Sequence, residues 1–222
     1  VDKNNLGITA ETASKCINEN TALILAPHPI VNLCDVSGIE KLAKERNLPL
    51  LFDSVEASYA NHEGQPIGSF GDAECFSVHA SKFLNGFEGG YITTTNDELA
   101  LKIKTARNNG IDNNNKVKSF GMNGRLNDMH AAMTLACLDR LDEQLNHNKE
   151  IFNKYKELLK EFKGIRLVEY SDTEKRGYKN ILVELEDSWP LTRDLTIKVL
   201  QAENMVVRPY YSPPLHDKSS DY

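Results

Sequence analysis

Three features in the first half of the chain could do chemistry by type and spacing. They are an acid, Asp53, closing the apolar run Pro49-Leu50-Leu51-Phe52, a hydroxyl and an amine five residues apart, Ser77 and Lys82, and the turn Glu88-Gly89-Gly90. A carboxylate can hold a proton on a partner's nitrogen, a hydroxyl is a short donor to an anion, and a lysine amine is a nucleophile or base once it has lost its proton. Taken singly, each has an ordinary reading. A strand-end aspartate commonly serves a turn or cap, a lone lysine is a solvated charge, and a Gly-Gly pair is a turn. Ser77 and His79 read equally well as a strand serine and a satisfied polar residue. No GxGxxG follows a strand, so a dinucleotide-binding oxidoreductase has little support. Cys16, Cys34, Cys75 and Cys137 are widely spaced with no CxxC pair, which suggests buried thiols and neither a zinc site nor a disulfide framework.

The elements that must position these groups alternate between strand and helix. Thr21 to Pro27 is a short apolar run closed by proline, suited to a strand buried on both faces. Asp35 can cap a helix in which Val36, Ile39, Leu42 and Ala43 recur at helical spacing until Asn47 and Pro49 interrupt. Pro49–Asp53, Cys75–His79 and Gly90–Thr94 are further strand candidates. Asn96 to Leu99 starts a helix, and 108–115 has the composition of an exposed loop. From Asn127 a long helix is expected, with Met129, Ala132, Met133, Ala136 and Leu141 on one buried stripe, followed by a helix carrying Ile151, Phe152, Tyr155, Leu158, Leu159 and Phe162. A strand (181–185), a helix (191–203) and a strand (206–210) complete the pattern. It predicts an α/β fold in two parts, a larger one over 1–145 and a smaller α/β unit over 146–222. In open α/β sheets ligands gather beyond the carboxyl ends of strands, where Asp53 and the segment from Ser77 to Lys82 fall.

The bulk numbers agree with a globular chain: 222 residues, 40% hydrophobic and 26% charged. With 26 Lys plus Arg against 32 Asp plus Glu, the net charge of −6 offers no broad basic surface, so nucleic acid and membrane are not expected partners. No apolar run approaches the ~20 residues of a membrane helix, and the N-terminus lacks the layout of a secretion signal, which predicts a cytoplasmic protein. Val1 is not methionine, and a helix-like stretch follows almost at once; a fragment of a longer chain is expected.

The order and wording of these residues carry more than their spacing. The stretch from Leu51 to Gly110, with "FSVHASKFLNGFEGG" at its centre, resembles the DegT-like nucleotide-sugar aminotransferases. The resemblance continues through "GMNGRLNDMHAAM" and, more loosely, to "VVRPYYSPPLH", so that it covers essentially the whole chain. The "HASKFLNGFEGG" wording is closest to the branch that aminates C4 of dTDP-4-keto-6-deoxyglucose. The resemblance implies part of a fold-type-I large domain plus a small C-terminal domain, with pyridoxal 5′-phosphate (PLP) as cofactor. It further implies glutamate as amino donor, a nucleotide-linked keto-deoxysugar as acceptor, and a homodimer.

Residue by residue, Lys82 matches the lysine that holds the cofactor covalently and moves a proton between substrate and cofactor. For that work near neutral pH its amine is expected to fall well below the unperturbed ~10.4, which partial desolvation brings about. Asp53 matches the acid facing the pyridine nitrogen. Ser77 matches a hydroxyl contacting the phosphate. Asn123 and Arg125 match positions that reach the neighbouring subunit's site, Asn123 toward the phosphate and Arg125 toward phosphate or substrate. His216 matches a substrate-side position. Glu56 departs from the pattern, because many members carry Gln or His there, contacting the ring oxygen. A carboxylate beside a phenolate is repelled, so Glu56 is expected to be protonated, to accept a proton from that oxygen, or to turn away; facing the ring, its pKa is expected to be raised. In the family, a Gly-Thr phosphate segment at a helix N-terminus and a ring-stacking aromatic come before the part that this chain resembles. With the site partial, a catalytically impaired PLP- or sugar-binding homologue is the alternative reading. A PLP-dependent sugar dehydratase is another, but there the resemblance implies histidine in place of the lysine, and Lys82 argues against it.

Overall fold

A computed structural model of the chain describes residues 1–2, 6–210 and 212–213. The local signals act where expected. Thr9 caps a short helix, α1 (Ala10–Ser14), through a reciprocal capping box with Thr12. β1 (Ile24–Pro27) leads to α2 (Val36–Arg46), whose N-cap Asp35 accepts the Gly38 N–H. That helix stops at Asn47, which takes the left-handed conformation at φ 50°. β2 (Leu50–Asp53) follows, then a two-stranded hairpin of β3 (Asn61–His62) and β4 (Gln65–Pro66), then β5 (Ala73–Ser77) and β6 (Gly90–Thr93). α3 (Asp97–Arg107) and α4 (Asp128–Leu138) are capped by Asn96 and Asn127, and α5 (Leu141–Leu159) is the longest helix among the described residues. β7 (Ile165–Leu167), β8 (Val183–Leu185) and α6 (Arg193–Ala202) complete the order.

The main sheet runs β1-β2-β5-β6, with the first three strands parallel and β6 antiparallel to β5. The α/β expectation therefore holds. Register pairs Pro27 with Asp53, Asp53 with Cys75, and Ser77 with Gly90. Because side chains alternate along a strand, Asp53, Cys75 and Ser77 share one face. The opposite face carries Ile24, Ala26, Leu50, Phe52 and Phe76, which join Val36, Ile39, Leu42 and Ala43 of α2 in the main core. Burying these aliphatic and aromatic side chains stabilises the unit at about 25 cal/mol per Å² of apolar surface. A second cluster sets Val78 and Leu84 against Leu141 and Leu145 of α5.

The chain forms two compact units. The first comprises Val1–Lys154 together with Val168–Ile181; the second comprises Tyr155–Leu167 and the residues from Leu182 onward. Within the second, β7 and β8 pair antiparallel, and the Trp189 indole N–H donates to Thr196 Oγ1 at 2.9 Å. None of the helices among the described residues is long and apolar enough to cross a membrane.

Several expectations need correction. The strand at 21–27 is shorter and alternates in burial: Leu23 and Leu25 are exposed, so only one face is covered. The expected strand at 75–79 is shifted to Ala73–Ser77; the turn toward Lys82 begins at His79, whose O accepts the Lys82 N–H. The stripe from Asn127 is not buried. Met129, Ala132 and Ala136 are exposed and Met133 is half-buried, while Leu141, which is buried, belongs to the next helix. The helix expected around 151–162 starts ten residues earlier at Leu141 and ends at Leu159, with Phe152 buried and Leu158 and Phe162 exposed. Val206–Tyr210 is no strand, having no ladder partner among the described residues, and the strand at 181–185 is confined to Val183–Leu185.

Candidate active site

Asp53 ends β2 and Ser77 ends β5, so both stand at the carboxyl edge of adjacent parallel strands and on the same face. Among the described residues, the bond made by the Asp53 carboxylate is with the nearby Val55 N–H, at 3.3 Å; Ser77 Oγ accepts the His79 N–H at 3.2 Å. Beyond β2 the chain turns through 54–60, and this turn presents Glu56. Beyond β5 it turns again, with the Lys82 N–H donating to His79 O at 2.9 Å. The two turns meet. Lys82 Nζ forms an ion pair with Glu56 Oε1, and the other carboxylate oxygen takes Lys179 Nζ at 3.0 Å.

The three side chains are 14%, 18% and 20% exposed for Lys82, Glu56 and Lys179, so bulk water screens the cluster little. Lys179 belongs to the returning segment Val168–Ile181, which is tied into the first unit by polar bonds. Asn180 Nδ2 donates to Ile30 O at 3.4 Å, Asn32 Nδ2 donates to Glu169 O at 2.9 Å, and Arg176 Nη1 donates to Asn61 O at 2.6 Å. Tyr170, Tyr178 and Phe152 pack ring against ring beneath it, with centroids 4.7 to 5.4 Å apart. Burial, and to a lesser degree the Glu56 charge, push the Tyr170 phenol up to about 12, and burial lifts the half-buried Tyr59 phenol further still.

Lys82 and Lys179 line a cleft of about 540 Å³ together with Phe83, Asn85, Met133 and Arg140. Asp53 and Ser77 are not part of that lining; they stand at the ends of β2 and β5, from which the turns bearing Glu56 and Lys82 leave. Glu74, fully buried on β5, accepts from Ser54 Oγ and from the Gly68 and Phe70 N–H groups, which fixes the residue next to Asp53. The donor set fits PLP: an amine, an acid whose carboxylate is bonded only locally, and a hydroxyl one strand away, all at one end of the sheet.

The other candidates are not drawn into this cluster. Asn123 and Arg125 are exposed, and Arg125 Nε donates to Asn123 Oδ1 at 3.1 Å. Neither bonds to Asp53, Glu56, Ser77 or Lys82 among the described residues. His216 lies outside the described residues. Glu56 does not turn away into solvent but sits between two ammonium groups. Lys179 is the residue that sequence reasoning missed: a lysine in "RGYKN" carries no local signal of its partner on the turn after β2.

Residues 1–220 match the DegT/DnrJ/EryC1/StrS aminotransferase family. The chain belongs to that family. Aminotransferases of this DegT family are PLP-dependent and are named for nucleotide-sugar substrates. Among curated relatives, a GDP-perosamine synthase of Caulobacter vibrioides is 31% identical over 216 residues, covering 96% of this chain and 58% of that protein. A dTDP-4-amino-4,6-dideoxy-D-glucose transaminase of Shigella dysenteriae is 28% identical over 203 residues, covering 91% of this chain and 55% of that protein. The crystal structure of DesI in the presence of its TDP-sugar product superposes with a TM-score of 0.90 at 30% identity, covering 97% of this chain and 55% of that one. The chain thus spans little more than half the length of these DegT-family relatives. The expected partial fold-type-I architecture agrees with that overlap.

Proposed function

We propose that this chain forms the lysine-bearing part of a PLP-dependent aminotransferase that moves an amino group from glutamate to a nucleotide-linked keto-deoxysugar. The acceptor is proposed to be a dTDP-4-keto-6-deoxyhexose. The observation that carries the reading is the meeting of the two strand-end turns, which brings the Lys82 amine onto Glu56, three residues beyond Asp53. When bound, PLP supplies an electron sink and a temporary carrier for the amino group. The chain's own residues supply the rest. Lys82 holds the cofactor and then carries a proton to and from the substrate carbon; Asp53 keeps the ring nitrogen protonated; Ser77 donates to the phosphate. Asn123 and Arg125, exposed and bonded to each other, are proposed to serve the site of a second copy in a homodimer. His216 is proposed to face the sugar, and the protein to work in the cytoplasm. The larger part is taken to run to residue 145 and the smaller from 146.

Spectroscopy of the full-length protein tests this. PLP should give the absorbance of a lysine-bound cofactor, glutamate should shift it, and a keto-sugar should shift it back. Lys82→Ala should abolish the first signal and lower turnover by at least about a thousandfold. Turnover retained by Lys82→Ala would refute the assignment. A signal that glutamate leaves unmoved would favour the impaired binding homologue. Comparing dTDP-, GDP- and UDP-linked keto-sugars by kcat/KM decides the nucleotide, and ping-pong kinetics are expected.

A further inference from the structure

We propose that Lys179 is a positioning residue of the cofactor site, the standing counter-ion of Glu56 that keeps this carboxylate from holding Lys82 as its sole partner. The inference rests on the function proposed above. A carboxylate within hydrogen-bonding reach of a lysine favours the ammonium over the amine. Lys82 can engage a carbonyl carbon only as the amine, so a Glu56 committed wholly to Lys82 works against its chemistry. The structure divides that commitment: one oxygen of Glu56 meets Lys82 and the other meets Lys179 at 3.0 Å. The two lysines thus share a single carboxylate. Once Lys82 is engaged by the cofactor, Lys179 remains to balance the charge that Glu56 would otherwise leave unpaired in a half-buried place.

The neighbourhood leaves this duty to Lys179. Arg140, which lines the same cleft, is taken by Glu143 through two bonds of 3.1 Å. The nearby phenols Tyr59 and Tyr170 stay protonated, because burial raises both, and bring no charge. Asp53 is bonded locally to Val55. The ammonium is also held in place, since Asn180 beside it bonds the Tyr170 hydroxyl through its N–H and Ile30 O through Nδ2 at 3.4 Å.

The test compares Lys179→Met, Lys179→Arg, Glu56→Gln and the double variant Glu56→Gln/Lys179→Met in the full-length protein. One readout needs no cofactor: the rate at which a small neutral acylating reagent labels Lys82 at pH 7.5, followed by mass spectrometry of the PLP-free protein. Lys179→Met should slow labelling about tenfold. Lys179→Arg should label like the parent, and the double variant should recover to within about threefold of it or label faster. The second readout is PLP affinity by absorbance titration, expected to fall about tenfold in Lys179→Met and to return in the double variant. Labelling indifferent to Lys179→Met, or a double variant as slow as that single one, would overturn the inference alone. If the parent protein takes up no PLP, the proposed function fails and this inference with it, whatever the labelling shows.

Discussion

The imidazole of His28 lies flat on Phe52, with ring centroids 5.5 Å apart, and is almost wholly buried. Its Nδ1 accepts the Cys34 N–H at 3.3 Å, which leaves the proton on Nε2, and that atom has no hydrogen-bond partner among the described residues. Burial first, then the Arg176 and His62 charges, lower its pKa to about 4. The unfolded chain therefore binds a proton that the folded chain refuses between about pH 6.5 and about 4. Stability is complete above that window and falls as pH drops through it, by about 3 kcal/mol in all. Urea denaturation at pH 7 and pH 5 should show this slope, and His28→Gln should flatten it; an unchanged slope would show that the imidazole is not buried as a neutral ring. At this scale the sequence was legible where chemistry follows wording. Asp53, Ser77 and Lys82 could be picked out because their types recur in a recognisable string. Lys179 could not, because its role comes from the side chain it meets and not from its neighbours in "RGYKN".

Elements were legible through their ends more than through their middles. A cap is a local event, and Asp35, Asn96 and Asn127 each accept the N–H three residues on, as their positions foretold. Asp35 does more, since its second oxygen accepts the Ala10 N–H at 3.0 Å and so links two helices. Asp35→Ala should cost roughly 2 kcal/mol in a denaturant titration, more than a simple cap, because two N–H groups lose their acceptor. Gly38→Ala should cost less, because a Cβ there would press only on the Asp35 carboxylate, which can shift at some loss to its two bonds. The apolar period over α4 misled because periodicity identifies a face without saying that anything covers it; Met129 stays exposed. Three-residue β7 is too short for a pattern to register. The apolar run at 206–210 favours a strand, but a strand needs a partner, and the sequence could not say that none pairs with it among the described residues.

Among the described residues of the first unit, the sheet is well covered on the face toward α2 and less so on the other. The face bearing Asp53 and Ser77 also carries Leu25 and Ile92, both about half exposed, on strands β1 and β6 that border the sheet. Apolar side chains exposed on strands whose outer edges have no ladder partner among the described residues invite association. The 222 residues expressed by themselves should therefore self-associate, and Leu25→Lys should shift light scattering toward the monomer; scattering unaffected by that change would place the contact elsewhere. The α/β class was readable at this scale because alternation of elements implies it. The exposure was not, since a sequence tells which residues are apolar and not which of them find company.

The sheet ladder also has a bearing on where the molecule can be altered. Asp53 and Ser77 are spaced by the pairing of β2 with β5, not by the length of chain that joins them. The β3–β4 hairpin lies on that connecting stretch and turns at Glu63 and Gly64, both at positive φ, with open space around Gly64. A peptide spliced in at this tip would lengthen the detour while leaving the two strand ends where they are. The strand ends are thus insulated from this tip, whereas the segment of Lys179 is not, because the Glu63 N–H donates to Glu174 and Arg176 donates to Asn61 O.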